Sequence, residues 1–131
     1  MKKLIINDGL LDGITRQAEE SERRRMNFNL HESLDSNAQR LINVLLPDTK
    51  MPVHRHQHTD ETYVVVRGDL DVVFYDDAGH EMDRFNLNPA KGRYGVHIPR
   101  GQWHGIEVKL PTAILEVKDG PYTPLTPDNT L

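Results

Sequence analysis

Between residues 52 and 118 the sequence breaks into short segments of strand character separated by turn residues, and this rhythm limits the possible folds more than any other feature. The segments are 53–56, 61–67, 70–75, 81–87, 93–98, 102–109 and 112–118. Gly68-Asp69 suits a tight hairpin and Asp76-Asp77-Ala78-Gly79 a longer one, while Pro99-Arg100-Gly101 puts proline at the second position of a turn. Strands this short and this evenly spaced predict an all-β antiparallel barrel or sandwich.

Upstream the period differs. Residues 8–24 place Leu10, Leu11, Ile14 and Ala18 at helical spacing behind a capping Asp8, with Arg23, Arg24 and Arg25 at the far end. From Met26 the period becomes two, because Met26, Phe28 and Leu30 alternate with Asn27, Asn29 and His31. Such a polar face either lines a wet pocket or forms a solvated strand edge. In the first case Arg25, Asn27, Asn29 and His31 are substrate-contact candidates, with amides suited to a hydroxyl-rich sugar and arginines able to reach a phosphate or carboxylate. In the second, the arginine triplet simply complements the negative end of the helix dipole. Residues 40–46 form an apolar run closed by Pro47, a second strand. Pro121, Pro124 and Pro127 prevent the last stretch from extending a sheet, which predicts a surface tail. The expected organisation is one domain over 1–131: a helix and strands in 1–50, the core in 51–118 and the tail in 119–131.

At 131 residues the chain is long enough to bury a core without metal or disulfide staples. A metal site in it is therefore expected to serve function before stability. There is no cysteine, so disulfides and thiolate ligands are excluded and any metal is held by nitrogen and oxygen. The N-terminus, Met1 to Asn7, has only three consecutive apolar residues, too few for a signal peptide, and no run is long enough to span a membrane. Cytoplasmic residence is the expectation. A net charge of -4 with dispersed acidic residues offers no footprint for nucleic acid or an anionic membrane. A small-molecule partner fits better, and homodimerisation is the commonest oligomeric outcome.

Three of the seven histidines fall in Val53-His54-Arg55-His56-Gln57-His58. On a strand, residues two apart share a face with Cα atoms about 6.5–7 Å apart, so His54 and His56 can converge on one ion. A bend over 57–60 would return Glu61 to them, and His104 can arrive from a later strand. Three nitrogens and one carboxylate suit one divalent transition metal (Mn, Fe, Co, Ni, Cu or Zn) rather than Ca or Mg. His58 shares strand parity with the pair and is an alternative ligand or a pocket-rim residue.

His54, His56, Glu61 and Gly68 together resemble the first cupin motif, and Pro99, Gly101 and His104 resemble the second. Two positions depart from the pattern: Asp48 stands where a glycine is expected and Val108 where an asparagine is expected. The resemblance implies a double-stranded β-helix, or jelly-roll barrel, with His54, His56, Glu61 and His104 as metal ligands. Arg23 to Arg25, Asn27, Asn29, His31, Gln39-Arg40, Trp103-His104 and 116–122 extend the likeness to the WbuC-type cupin metalloproteins, which are associated with O-antigen gene clusters. That resemblance implies a metal-binding cupin in sugar metabolism without implying a particular reaction. Three functions follow as expectations: Lewis-acid chemistry such as isomerisation or epimerisation of a sugar intermediate, Fe(II)-dependent oxygen chemistry, or metal-dependent sugar binding without turnover. His97, Glu116 and Lys118 are candidate acid or base groups or surface residues. Trp103 either stacks on a sugar ring or packs in the core.

Overall fold

Eight antiparallel strands and one helix make up the fold in the computed structural model, which describes residues 3–131. Met1 and Lys2, part of the N-terminal reading above, lie outside the described residues. Helix α1, Asp8–Glu20, is capped by Asn7, whose side chain accepts the Leu10 N–H; the expected cap, Asp8, is instead the first helical residue. The buried side of α1 is Leu11, Ile14 and Ala18. It ends at Glu20 rather than at residue 24, because Ser21 leaves helical geometry and Arg24 takes a left-handed conformation (φ 57°). The arginine triplet therefore follows the helix. Arg24 alone keeps the predicted contact, donating from its guanidinium to the Glu19 carbonyl.

The strands are β1 (Arg25–Asn29), β2 (Ala38–Leu45), β3 (Glu61–Arg67), β4 (Leu70–Tyr75), β5 (Glu81–Leu87), β6 (Gly95–Ile98), β7 (Trp103–Val108) and β8 (Thr112–Asp119). They form a five-stranded sheet, β1-β2-β8-β3-β6, and a three-stranded sheet, β5-β4-β7. The interior between them is filled by Leu45, Val65, Leu70, Val72, Ile98 and Ile114. On the outer face of the larger sheet, Leu11, Ile14 and Ala18 of α1 pack on Ile42, Val44 and Ala113. Strand β2 is thus covered on both faces, which explains why its sequence reads as an apolar run instead of alternating. Ile42 is fully buried under the helix. Ile42→Ala is expected to cost about 2–4 kcal/mol of unfolding free energy, measured by urea denaturation.

Two further expectations, on residues 53–56 and on the start of β6, are corrected, and the one for the tail holds. Residues 53–56 form no strand; the segment makes isolated bridges through His54 to His104 and to Thr130. Strand β6 starts at Gly95, after a single 3₁₀ turn at Pro89–Lys91. The proline-rich tail does not extend a sheet, but it is anchored. Leu131 donates its N–H to the Val53 carbonyl, and Arg55 donates its own to that of Asn129.

The strand register sets up the site. One row of paired residues crosses the large sheet as Asn29, Leu41, Glu116, Tyr63 and Val96. The next row is Gln39, Lys118, Glu61 and Ile98. Paired residues share a face, so the polar side of β1 lies on the same inner face as Glu61.

Candidate metal centre

Two backbone hydrogen bonds hold the first pair of candidate ligands opposite each other. His54 donates its N–H to the His104 carbonyl at 3.0 Å, and His104 donates back to the His54 carbonyl at 2.8 Å. Their rings lie 4.3 Å apart between centroids. Glu61 enters from the first position of β3, and His56 is fixed because its carbonyl accepts the Gly101 N–H at 2.7 Å. The turn 99–101 that leads to His104 is thereby tied to the irregular segment 53–56 bearing the other two histidines. One nitrogen or oxygen from each of His54, His56, Glu61 and His104 lies within 4.8 Å of all the others, so the group could hold a metal ion.

The imidazoles are oriented for it. His54 Nδ1 lies 2.9 Å from the Pro52 carbonyl and His104 Nδ1 lies 2.9 Å from the Gln102 carbonyl. A carbonyl only accepts, so each Nδ1 carries the proton and each Nε2 presents a lone pair, as in histidine ligands held by an outer hydrogen bond. His104 Nε2 approaches Glu61 Oε1 to 2.8 Å yet is buried without a formed hydrogen bond. His56 Nε2 lies 3.6 Å from the same oxygen. A lone pair facing a buried carboxylate oxygen requires positive charge between or beside them, supplied by a proton or by a cation that both atoms ligate. Three imidazoles and a carboxylate fit Mn, Fe, Co, Ni, Cu or Zn.

The ionisation states suit ligation, which needs neutral imidazoles and a carboxylate. Burial lowers the pKa of His54, and it pushes that of His56 down to about 4. For Glu61 burial acts upward, but His104 and His56 beside it hold the carboxyl below its usual range. Tyr63, whose hydroxyl donates to Glu61 at 3.4 Å, is held well above the usual phenol value by burial and by the Glu61 charge. Across the pocket, burial and then Glu61 push Glu116 up to about 7, while its hydrogen bond from Asn43 (2.9 Å) acts the other way.

These shifts predict the pH dependence of the metal-free protein. Unfolded histidine takes up its proton near 6.5 but folded His56 only near 4, so the unfolded state binds more protons in that window and stability falls as pH is lowered through it. Glu116 has the opposite sign: its folded form keeps a proton up to about 7, which favours the fold at lower pH. Glu116→Gln should therefore steepen the acid destabilisation between pH 7 and 5. Denaturant unfolding of chelator-treated protein across that range measures both slopes.

His54, His56, Glu61 and Tyr63 line a pocket of about 240 Å³ that also includes Arg25, Asn27, Asn43, Glu116 and Lys118. Asn29 and His31 line an adjoining cavity of about 280 Å³ that shares Asn27, Glu116, Lys118 and Tyr122 with the first. A larger open groove of about 540 Å³ between β5 and β6 contains none of the four candidate ligands. The structure does not bring Trp103 into either pocket. Trp103 is buried on the opposite face of β7 from His104, donating to Asp77 at 3.1 Å beneath the guanidinium of Arg55. His58 is exposed and outside the ligand group. His97 is exposed and bonds Thr62. Sequence reading missed Tyr63 and Asn43. Both left a signal: Tyr63 shares the parity of Glu61, and Asn43 is a polar residue inside the apolar run of β2.

Residues 6–87, more than half of the chain, match a family described as a domain of unknown function, DUF6016. No curated protein matches the chain. Among solved structures, it is similar to a conserved protein of unknown function from Streptococcus pyogenes, with TM-score 0.63 and 11% identity over 94% of this chain and 93% of that one. A cupin superfamily protein from Desulfitobacterium hafniense superposes with TM-score 0.60 and 16% identity, covering 76% of this chain and 80% of its own. The capsular polysaccharide assembling protein CapF from Staphylococcus aureus gives TM-score 0.58 and 20% identity over 76% of this chain. The chain spans only 28% of the length of CapF. These likenesses show the fold, two antiparallel sheets with one helix in the cupin arrangement. The chain is a cupin-fold protein and belongs to the DUF6016 family.

Proposed function

We propose that His54, His56, Glu61 and His104 hold one divalent transition-metal ion, and that the protein uses it to bind and act on a sugar, nucleotide-sugar or sugar-phosphate intermediate of bacterial surface-polysaccharide assembly. The observation that carries the metal is the buried approach of His104 Nε2 to Glu61 Oε1 at 2.8 Å, inside a four-ligand cluster. When bound, such an ion supplies Lewis acidity toward a carbonyl or adjacent hydroxyls. The residues of this chain would do the rest. Asn27 and Asn43 offer amides, and Arg25 and Lys118 offer cations to an anionic substituent. Glu116, near neutral pKa at the pocket wall, can hold or release a proton.

Two resemblances support the choice of substrate. The motif residues are similar to those of the WbuC-type cupins of O-antigen clusters, and CapF is itself a capsular polysaccharide assembling protein. Cytoplasmic residence and a homodimer belong to the same proposal. No described helix is long and apolar enough to cross a membrane. The test is to incubate zinc- or manganese-loaded and chelated protein with a panel of nucleotide-sugars and sugar phosphates and follow the products by NMR. Metal-dependent conversion, lost in His56→Ala, is the expected result. Equal conversion by verified metal-free protein would overturn the catalytic role, and metal-dependent binding with the sugar recovered unchanged would reduce the protein to a sugar-binding module.

A further inference from the structure

The cavity adjoining the metal pocket contains a histidine that the metal centre leaves unexplained. His31 lies just beyond β1, is 93% buried and lines this cavity together with Asn29, Leu34 and Leu41. Its tautomer follows from the sheet edge. Arg40 turns its N–H and C=O toward β1; Leu30 donates to the carbonyl at 2.7 Å, and His31 Nδ1 stands 3.0 Å from the N–H and 2.9 Å from the same carbonyl oxygen. The imidazole thus takes the place of the missing backbone acceptor. The carbonyl already accepts from Leu30, whereas the N–H has no other acceptor, so the tautomer that leaves both Arg40 groups paired is the one in which Nδ1 accepts and Nε2 carries the proton. That Nε2–H is buried and has no partner among the described residues.

A buried donor left without an acceptor costs about 1–3 kcal/mol, so an acceptor that completes it, from a ligand or a water, is favoured there. Its surroundings restrict the ligand group. A neutral N–H donor is completed by a neutral acceptor such as a carbonyl oxygen, and Glu116 in the same cavity disfavours an anion beside it. Leu34, Leu41 and the ring of Tyr122 provide apolar wall beside it. The two lobes share Asn27, Glu116, Lys118 and Tyr122, so one molecule can occupy both. The side chains of Arg25, Asn27 and Asn29 lie on one face of β1 over about 13 Å, long enough for a ligand that reaches beyond the metal.

We propose that this second lobe is a subsite for a neutral carbonyl next to a small apolar group, the chemistry of an acylamino substituent on the ligand. The proposal rests on the sugar reading above and narrows it to acylated amino sugars. In it, His31 Nε2–H donates to the acyl oxygen while the acyl methyl packs against Leu34 and Leu41. The ring hydroxyls and any phosphate stay in the metal lobe.

The test compares N-acetylglucosamine 1-phosphate with glucose 1-phosphate, which differ only in the acetamido group, by calorimetric titration of zinc-loaded protein. The acetylated probe should bind about tenfold more tightly or better, the equivalent of one buried hydrogen bond. His31→Phe should erase that preference and leave zinc affinity unchanged. Because this variant also removes the acceptor of the Arg40 N–H and risks misfolding, the His31 Nε2–H proton resonance in the unsubstituted protein provides a second readout. The acetylated probe should shift it and glucose 1-phosphate should not. Equal affinity for the two probes, or a preference that leaves the His31 resonance in place, overturns the subsite while the sugar reading stands. If neither probe binds the zinc-loaded protein, the sugar reading falls and the subsite falls with it.

Discussion

His104→Ala should abolish stoichiometric metal binding. Four donors surround the site, and His104 is the most deeply buried of the histidines that contribute to it, with its side chain 1% exposed. Loss even of an outer hydrogen bond to a ligand typically costs about 10–100-fold in metal affinity, so loss of the ligand itself should exceed that range. Glu61→Gln should act in the same direction by removing the charge that neutralises the ion, with less disturbance of packing. His58→Ala is the control, because His58 is exposed and outside the cluster, and its affinity should match that of the unsubstituted protein. Competition titration against a chromophoric chelator reads all three. Circular dichroism must show that the variants are folded, since His104 also bonds the Gln102 carbonyl and pairs with His54.

Gly68→Ala should be among the most destabilising single changes in the chain, and it should act on the fold before the metal. Gly68 joins β3 to β4 with φ at 117°, a conformation that side-chain-bearing residues rarely adopt. A Cβ there would lie 2.6 Å from the Thr112 Cα and 2.7 Å from the Pro111 carbonyl oxygen. Neither backbone atom can swing aside, and Thr112 is itself locked by hydrogen bonds to Asp69. Strain and clash together should cost about 3 kcal/mol or more, roughly a 10 °C fall in Tm for a chain of this size. Gly101, also at positive φ (81°), has open space where a Cβ would go. Gly101→Ala should therefore cost only the conformational strain, and differential scanning calorimetry of the two variants separates the effects.

The candidate ligands were legible because spacing and geometry coincide. His54 and His56 stand two apart, Glu61 opens a strand, and His104 follows a Pro-Gly turn that bonds the His56 carbonyl. Alternation placed β1, and the register now shows why its polar face is retained: Asn27 and Asn29 are on the same inner side as Glu61. Features determined by non-local contacts were less accessible. The helix stops at Glu20 because Arg24 turns left-handed to donate back to the Glu19 carbonyl and pair with Asp48, a residue in a distant turn. Segment 53–56 had strand composition but finds only His104 and Thr130 as bridge partners, so it stays irregular. The position of Trp103 depended on which face of β7 meets the interior. Once His104 points inward, its neighbour must point away, toward Asp77 and Arg55. His31 was grouped with the polar strand face, yet its Nδ1 is used by the Arg40 N–H, a contact that spacing alone does not reveal.

The account rests on one ion held by four side chains. Elemental analysis by inductively coupled plasma mass spectrometry of protein purified without chelators or metal-affinity resin, alongside Glu61→Gln and His104→Ala, tests it most directly. About one transition-metal ion per chain in the unsubstituted protein and well under one in both variants is the predicted result. A chain that binds no transition metal even when it is supplied in excess, or variants that retain the ion in full, would contradict it.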